Sequence, residues 1–197
     1  MNAAALSEAY ARVRAEAGPR VTVVVATKYA ALEDMAVLAE AGVEIVGENR
    51  AQDLERKHRA YGDAFRWHFI GHLQSNKAGA VSRLCELVHS LDSHSAARRL
   101  DIPALLEVNL AGQTSKRGVD ESEIDEFLKR YPNICGLMTM PPLTDDAEAS
   151  RPAFRRLAEL ARQHSLPELS MGTSQDWRVA VEEGATLIRL GRALFTD

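Results

Sequence analysis

The chain has 197 residues, of which 46% are hydrophobic and 26% charged, the composition of an ordinary soluble protein with one well-buried core. Its formal net charge of −4 argues against a nucleic-acid-binding surface, because such surfaces are normally basic. No apolar run is long enough to cross a membrane, and the N-terminus has no secretory leader pattern. The two cysteines, Cys85 and Cys135, have no metal-ligand spacing. We therefore expect a cytoplasmic protein that binds neither nucleic acid nor a membrane.

Helix and strand patterns alternate along the chain from end to end. The first pattern is a helix that ends at Gly18-Pro19, with apolar residues at helical spacing at Leu6, Tyr10, Val13 and Ala17. Short apolar runs then predict eight strands, at residues 21–27, 43–47, 67–70, 87–91, 104–110, 134–140, 169–171 and 186–190. Helical patterns separate these strands, and three of the helices are predicted to be capped by Ser75, Asp120 and Asp176. Only the short stretch 193–195 follows the last strand.

This alternation predicts the fold class. Strands that alternate with helices pair in parallel through right-handed crossovers, which gives an α/β protein. An open doubly wound sheet has the same alternation, but eight uninterrupted units favour a closed (β/α)₈ barrel, although typical barrels begin at about 200 residues. Because the last unit is so short, we expect the N-terminal helix to cover the gap that it leaves. The prediction is one domain, residues 1–197, with a TIM-type (β/α)₈ barrel and an N-terminal covering helix.

A lysine closes the first predicted strand, whose β-branched run covers residues 21–27. In a barrel, Lys28 would stand at the C-terminal mouth, where proteins of this architecture keep their chemistry. A desolvated lysine loses part of its proton affinity and becomes an amine that can form a Schiff base. The alternative is a lysine that extends from the strand end into solvent and has no chemical role.

Two further polar clusters follow the seventh and eighth predicted strands. Gly172-Thr173-Ser174 combines close backbone approach with two hydroxyl groups, and Gly191-Arg192 adds a second backbone approach and a charge. In many barrels the loops after these two strands bind phosphate through backbone N–H groups. An amine on the first strand that faces such a phosphate site suits a phosphorylated aldehyde, and pyridoxal 5′-phosphate (PLP) is the candidate.

Three segments of the chain resemble the pyridoxal-phosphate homeostasis proteins, also called the YggS or proline-synthetase co-transcribed family. The first is Ala26-Thr27-Lys28, which is similar to the segment that carries the cofactor lysine of that family. The second comprises residues 47–52 with 67–77, and the third comprises residues 169–176 with 188–191. The resemblance covers nearly the whole chain and implies the barrel of the alanine-racemase N-terminal domain.

The resemblance also implies roles for single residues. Lys28 would carry the cofactor as an internal aldimine, and Arg189 would face the pyridine ring. Three further residues would line the cofactor rim, namely Asn49, Asn109 and Met138. No residue is assigned a catalytic role.

The same resemblance implies a phosphate site at the last two strand ends. Thr173 and Ser174 would bind the phosphate together with the backbone at Gly191 and Arg192. The sequence departs from the family here, because family members usually have methionine where Thr173 stands. The threonine adds one hydroxyl group close to the expected phosphate.

Three other polar residues are not assigned to the predicted site. Glu48 is either a catalytic acid or a carboxylate paired with an arginine, and the sequence does not decide between them. His68, between two aromatic residues, is either a core histidine or a functional one, and it is not assigned to the site. His72 lies at the mouth, but no spacing of His, Asp and Glu around it predicts a metal site.

The function predicted from these features is that of a PLP-binding protein in intracellular PLP homeostasis, which carries PLP on Lys28 without catalytic turnover. Its expected partners are PLP and apo forms of PLP-dependent enzymes, and the expected state is a monomer. The alternative is an amino-acid racemase with weak activity, but none of the four tyrosines matches the second base that racemases of this fold need. The permanent charge of Arg189 would also discourage protonation of the pyridine ring. A class I aldolase acting through Lys28 is a third reading, which lacks a clear proton relay.

Overall fold

The computed structural model describes residues 2–110 and 117–195. Within these residues, eight parallel strands close into a barrel in chain order, with the last strand paired to the first. The strands are β1 (Thr22–Ala26), β2 (Ile45–Glu48), β3 (Arg66–Phe69), β4 (Leu87–Leu91), β5 (Ala104–Glu107), β6 (Ile134–Met138), β7 (Glu168–Ser170) and β8 (Leu187–Leu190). The predicted (β/α)₈ barrel is confirmed.

Helices alternate with the strands on the outside of the barrel. They are α1 (Ala3–Ala17), α2 (Asp34–Glu40), α3 (Ala51–Tyr61), α4 (Ala78–Ser82), α5 (His94–Ala97), α6 (Ile124–Arg130), α7 (Arg151–Gln163), α8 (Trp177–Glu182) and α9 (Arg192–Phe195). Helix α1 buries the four predicted apolar residues and packs against α2 and α9. It therefore covers the side of the barrel that the short last unit leaves open, as the sequence predicted.

The predicted helix caps differ in outcome. Asp120 forms a capping box with Glu123 at the 3₁₀ turn that leads into α6, so this prediction is confirmed. Ser75 is wrong as a cap, because α4 begins at Ala78, immediately after Lys77. Asp176 does precede α8, but its side chain accepts hydrogen bonds from the preceding loop instead of from the helix.

Several strands end earlier than their apolar runs predicted. β1 ends at Ala26, because Thr27 begins a turn closed by the hydrogen bond from Ala30 N to the Thr27 carbonyl, 2.9 Å long. β5 ends at Glu107, and beyond it Val108 pairs with Val119 across an isolated bridge. Val108 is only 1% exposed although it lies outside the strand, so burial and hydrophobicity alone overestimate the length of the strand.

The barrel interior changes from apolar to polar towards the C-terminal mouth. A central apolar cluster contains Val24, Ile45, Leu105, Met138 and Leu187, with Leu87 packed against it. Two residues beyond Leu87, Leu105 and Leu187, the next inward positions are His89, Glu107 and Arg189, because strand side chains alternate with a period of two. All three of these polar side chains are buried. The mouth of the barrel is therefore lined by ionisable groups that rest on an apolar layer.

Candidate functional site

The predicted site residues all lie at the C-terminal end of the barrel, because parallel strands end at the same face. Met138 and Arg189 belong to strands β6 and β8, and the others follow a strand by one to four residues. The complete set is Lys28, Asn49, Asn109, Met138, Thr173, Ser174, Arg189, Gly191 and Arg192. Arg192 is placed only through its backbone, as the first residue of α9.

Lys28 is exposed to solvent, and the expectation of a desolvated lysine at this position is wrong. The strand that was expected to carry it into the barrel ends two residues earlier, at Ala26. Its Nζ atom lies 4.7 Å from the centroid of the Tyr29 ring, and Tyr29 is itself 71% exposed. The amine is therefore accessible at the rim of the mouth, next to an aromatic face that attracts its charge.

The buried lysine of this region is Lys57 of α3, which the sequence analysis did not assign to the site. Its Nζ atom lies 2.5 Å from Glu48 Oε1 and donates to the Thr27 carbonyl over 2.7 Å. Glu48 is thus paired with a lysine and not with an arginine. The signal in the sequence was the spacing of Lys57 with Leu54 and Ala51, which makes all three residues part of the buried face of α3.

Arg189 is held inside the barrel by neutral acceptors. One nitrogen, Nη1, donates to the Ser170 hydroxyl, and Nη2 donates to the Thr139 carbonyl over 3.2 Å. Ser170 Oγ also lies 2.7 Å from His89 Nδ1, and His89 Nε2 lies 3.0 Å from His68 Nδ1. Four side chains thus form one hydrogen-bonded row, which links β8 and β7 to β4 and β3 through the barrel interior.

The charges along this row follow from burial. Burial lowers the pKa of Arg189 to about 10, so the guanidinium keeps its positive charge at neutral pH. Burial also lowers the pKa of His68 to about 4, and it holds the pKa of His89 well below its usual range. Both histidines are therefore neutral at neutral pH. His68 is 3% exposed, so of the two alternatives for it the structure shows a buried core histidine.

Glu107 is a second ionisable group that the sequence analysis missed. It ends β5 and is 8% exposed. Burial is the main reason why its pKa rises to about 7; Asp92 raises it further, while Arg189 and Arg117 lower it. The signal was a single charged residue inside the apolar run 104–110, where a buried carboxyl group requires a local reason.

The loop after β7 is shaped by Asp176. The Thr173 backbone N–H and hydroxyl donate to Asp176 Oδ1 over 2.7 and 3.2 Å, so both Thr173 donors are already engaged. Ser174 Oγ accepts a hydrogen bond from the Gly191 backbone N–H over 3.3 Å. Gly172 has a φ of +90°, and a Cβ atom there would approach Ala180 Cβ to 2.6 Å, so the turn needs glycine. The loops after β7 and β8 therefore meet at Ser174 and Gly191.

Two adjacent clefts open at the mouth, with volumes of about 500 and 470 Å³. They share a wall formed by Glu107, Arg117, Met140 and Arg189. Among the predicted residues, the first cleft is lined by Asn49 and Met138, and the second is lined by Asn109 and Thr173. The linings of these clefts do not include Lys28, Ser174 or Gly191.

Asn49 has an unsatisfied acceptor in the first cleft. Its Oδ1 atom is buried and finds no hydrogen-bond partner within the residues that the structure describes. Such orphaned acceptors are rare in folded proteins and require an explanation such as a bound ligand or water. An oxygen that lacks a donor fits the predicted role of Asn49 in the rim of a cofactor site.

No group of three or more His, Cys, Asp or Glu side chains within residues 2–110 and 117–195 has the geometry to hold a metal ion. In the same ranges, none of the helices combines the length and the hydropathy needed to cross a membrane.

The substitution Gly71→Ala is expected to disturb this site by displacing the backbone that carries Asn49. A Cβ atom on Gly71 would lie 2.0 Å from the Asn49 carbonyl oxygen, so the backbone that carries Asn49 would have to move. We expect a loss of about 1–3 kcal/mol in the free energy of unfolding, measured by urea denaturation. Gly79→Ala is the matched control, because a Cβ atom there meets only Arg83 Nη1, at 4.0 Å, and α4 should gain helix propensity. Equal stability of the two variants would contradict the predicted clash.

Comparison with known proteins identifies the family. The family model for the alanine racemase N-terminal domain matches residues 1–197. The pyridoxal phosphate homeostasis protein of Aquifex aeolicus is 40% identical over 79% of this chain and 78% of its own length. The protein of the same name from Synechocystis is 37% identical over 95% of this chain and 96% of its own length.

Solved structures give the same result. PipY of Synechococcus elongatus is 33% identical, covers 97% of this chain with 100% of its own, and superimposes with a TM-score of 0.88 without PLP and 0.87 with PLP bound. Alanine racemase of Corynebacterium glutamicum, at 19% identity and a TM-score of 0.74, shares the fold over 61% of its length. The chain therefore belongs to the family of the pyridoxal phosphate homeostasis proteins, which has the fold of the alanine racemase N-terminal domain.

Proposed function

We propose that this protein binds PLP reversibly at the mouth of its barrel and serves intracellular PLP homeostasis without catalytic turnover. The observation that carries the proposal is the likeness to PLP-bound PipY, at 33% identity and with a TM-score of 0.87 over 97% of this chain. The names of the relatives from Aquifex and Synechocystis support the same function. We expect the protein to act as a cytoplasmic monomer that passes PLP to apo enzymes.

Lys28 is the residue proposed to hold the aldehyde. Its exposed amine would add to the aldehyde carbon, and loss of water would leave a Schiff base between Nζ and that carbon. The reverse reaction, with water, releases both partners, which suits reversible storage. Arg189 would face the pyridine ring, and Asn49, Asn109 and Met138 would line the rim.

The phosphate is proposed to bind where the last two strand ends meet. Ser174 Oγ and the Gly191 backbone N–H already lie 3.3 Å apart, and α9 begins at the next residue, Arg192. An arriving phosphate would accept hydrogen bonds from the Ser174 hydroxyl and the Arg192 backbone N–H, and it would replace Ser174 Oγ as the acceptor of the Gly191 N–H. Thr173 would contribute less, because its hydroxyl proton is engaged with Asp176.

The arrangement of Arg189 supports a carrier over a racemase. Its hydrogen bonds go to Ser170 and to the Thr139 carbonyl, and no direct ion pair to it exists among the described residues. A full positive charge beside the pyridine nitrogen opposes protonation of the ring and weakens PLP as an electron sink. This argues against demanding carbanion chemistry such as racemisation, although racemases of this fold tolerate the same pairing.

The test is the visible absorption spectrum of purified protein incubated with PLP. We expect a band that borohydride bleaches in the wild type and in Lys129→Ala, an exposed control on α6. We expect no such band in Lys28→Ala. A band that persists in Lys28→Ala, or the absence of one in the wild type, would refute the assignment of Lys28. Racemisation of free amino acids faster than with PLP alone would refute the absence of turnover.

A further inference from the structure

Lys57 is almost completely removed from solvent. The residue is 1% exposed, and its Nζ atom lies 2.5 Å from Oε1 of Glu48, which is also 1% exposed. Moving two charges out of water is costly, and an apolar pair of similar size would often stabilise the protein as well or better. Stability alone therefore does not account for an ion pair at this position, and the contacts of the pair matter more.

The contacts of the ion pair lead to the backbone that carries Lys28. Lys57 Nζ donates to the Thr27 carbonyl over 2.7 Å, and this carbonyl belongs to the peptide bond between Thr27 and Lys28. The Thr27 hydroxyl donates to Glu48 Oε1 over 2.6 Å. Both members of the pair thus hold the residue that immediately precedes Lys28.

The same carboxylate also reaches the neighbouring strand end. Glu48 Oε2 accepts a hydrogen bond from the Asn49 backbone N–H over 3.3 Å. One buried carboxylate therefore connects the loop after β1, which carries Lys28, to the loop after β2, which carries Asn49. Lys57 reaches this junction from α3, the helix that follows β2.

We propose that Glu48 and Lys57 are positioning residues of the cofactor site, which fix the backbone at Lys28 and Asn49 relative to each other. Neither side chain is expected to touch PLP, and both act through Thr27 and Asn49. As far as it concerns PLP, the inference rests on the proposed function. The placement of the two backbone segments does not depend on it and can be measured in the ligand-free protein.

A double variant, Glu48→Met with Lys57→Met, separates positioning from stability. It removes both charges together and keeps the volume of the buried pair, so it is expected to fold. Thr27 stays satisfied, because its carbonyl also accepts from Ala30 N over 2.9 Å and its hydroxyl also contacts the Gly47 carbonyl over 3.3 Å. The variant loses the hydrogen bonds that join Glu48 and Lys57 to Thr27 and the one that joins Glu48 to the Asn49 backbone.

Two measurements on this variant test the inference. In the ligand-free protein, we expect amide hydrogen exchange to become at least tenfold faster at Asn49, whose N–H loses its Glu48 acceptor, and at Ala30, whose N–H closes the turn that contains Lys28. Exchange in β8 should be unchanged. With PLP, we expect the visible band to form but the apparent Kd to rise at least tenfold. The control is Arg14→Met, which breaks the exposed ion pair of Arg14 with Glu44 and should change neither quantity.

The outcomes are distinguishable. A folded double variant whose exchange at residues 30 and 49 stays within twofold of the wild type would refute the positioning role. If the exchange accelerates but the Kd is unchanged, the two residues fix the backbone without serving the cofactor, and the inference is refuted in that part. If wild-type protein shows no band at all, the proposed function fails, and the exchange measurement still decides whether the pair positions these segments.

Discussion

Replacing Lys57 alone by methionine is expected to lower the free energy of unfolding by about 3–5 kcal/mol, because the substitution leaves the Glu48 carboxylate buried without its partner. The carboxylate is 1% exposed, so water cannot replace the lost ammonium without opening the barrel wall. The free energy of unfolding of a domain is typically only about 5–15 kcal/mol, so the loss is a large fraction of the total. Urea denaturation at neutral pH measures it.

The double variant Glu48→Met with Lys57→Met is the matched comparison. It should recover most of the stability that Lys57→Met loses, because no isolated charge remains and the volumes of the side chains are retained. The ion pair of Arg14 and Glu44 is the exposed counterpart. Removing one of its partners should lower the free energy of unfolding by at most about 1 kcal/mol. A Lys57→Met protein as stable as Arg14→Met would mean that Glu48 is hydrated or protonated when its partner is absent.

The fold was predictable from the sequence because strand patterns and helix patterns alternate regularly along the whole chain. Apolar runs of strand length alternate with amphipathic helices eight times. An open doubly wound sheet has the same alternation, but eight uninterrupted units favour a closed parallel barrel. Helix α1 was recognisable from its four apolar positions, which are the ones that it buries. Strand ends were less predictable, since buried loop residues such as Val108 are as apolar as strand residues.

The candidate site was only partly predictable, for a physical reason. Residues that follow strand ends, such as Asn49 and Ser174, could be placed at the mouth by chain order alone. Burial could not be assigned in this way: a buried amine was expected at Lys28, but Lys28 is exposed and Lys57 is buried. A lysine on the apolar face of a helix is usually one that reaches solvent through its flexible stem. Only the three-dimensional position of Glu48 reveals that Lys57 has a buried partner.

The polar row inside the barrel illustrates the same limit. His89 and Ser170 belong to apolar strands far apart in the sequence, and their 2.7 Å contact depends on the register of the closed barrel. Once formed, the row gives Arg189 neutral acceptors in place of a carboxylate. Because these acceptors carry no negative charge, the full charge of the guanidinium remains available to a ligand at the mouth. The function proposed for the site thus depends on residues that no local pattern identifies.

Glu107→Gln is expected to stabilise the protein relative to the wild type at pH 8, and much less at pH 5. The pKa of Glu107 is raised from an ordinary value of 4.5 to about 7, so the folded state favours the neutral carboxyl group. For an acid whose pKa is raised by folding, the stability contribution is complete below pH 4.5 and is lost as the pH rises through about 7. One pH unit corresponds to about 1.4 kcal/mol, so the wild type loses at most about 3 kcal/mol across this window.

The measurement is the free energy of unfolding of Glu107→Gln minus that of the wild type, at pH 5 and at pH 8. Glutamine has nearly the shape of the protonated acid and cannot ionise, so this difference should grow by up to about 3 kcal/mol between the two pH values. Glu8→Gln, on the exposed face of α1, controls for the general loss of a negative charge. A difference that stays constant from pH 5 to pH 8 would mean that Glu107 is ionised throughout. In that case Arg117 and Arg189, which favour the charged form, would outweigh burial at the shared wall of the two clefts.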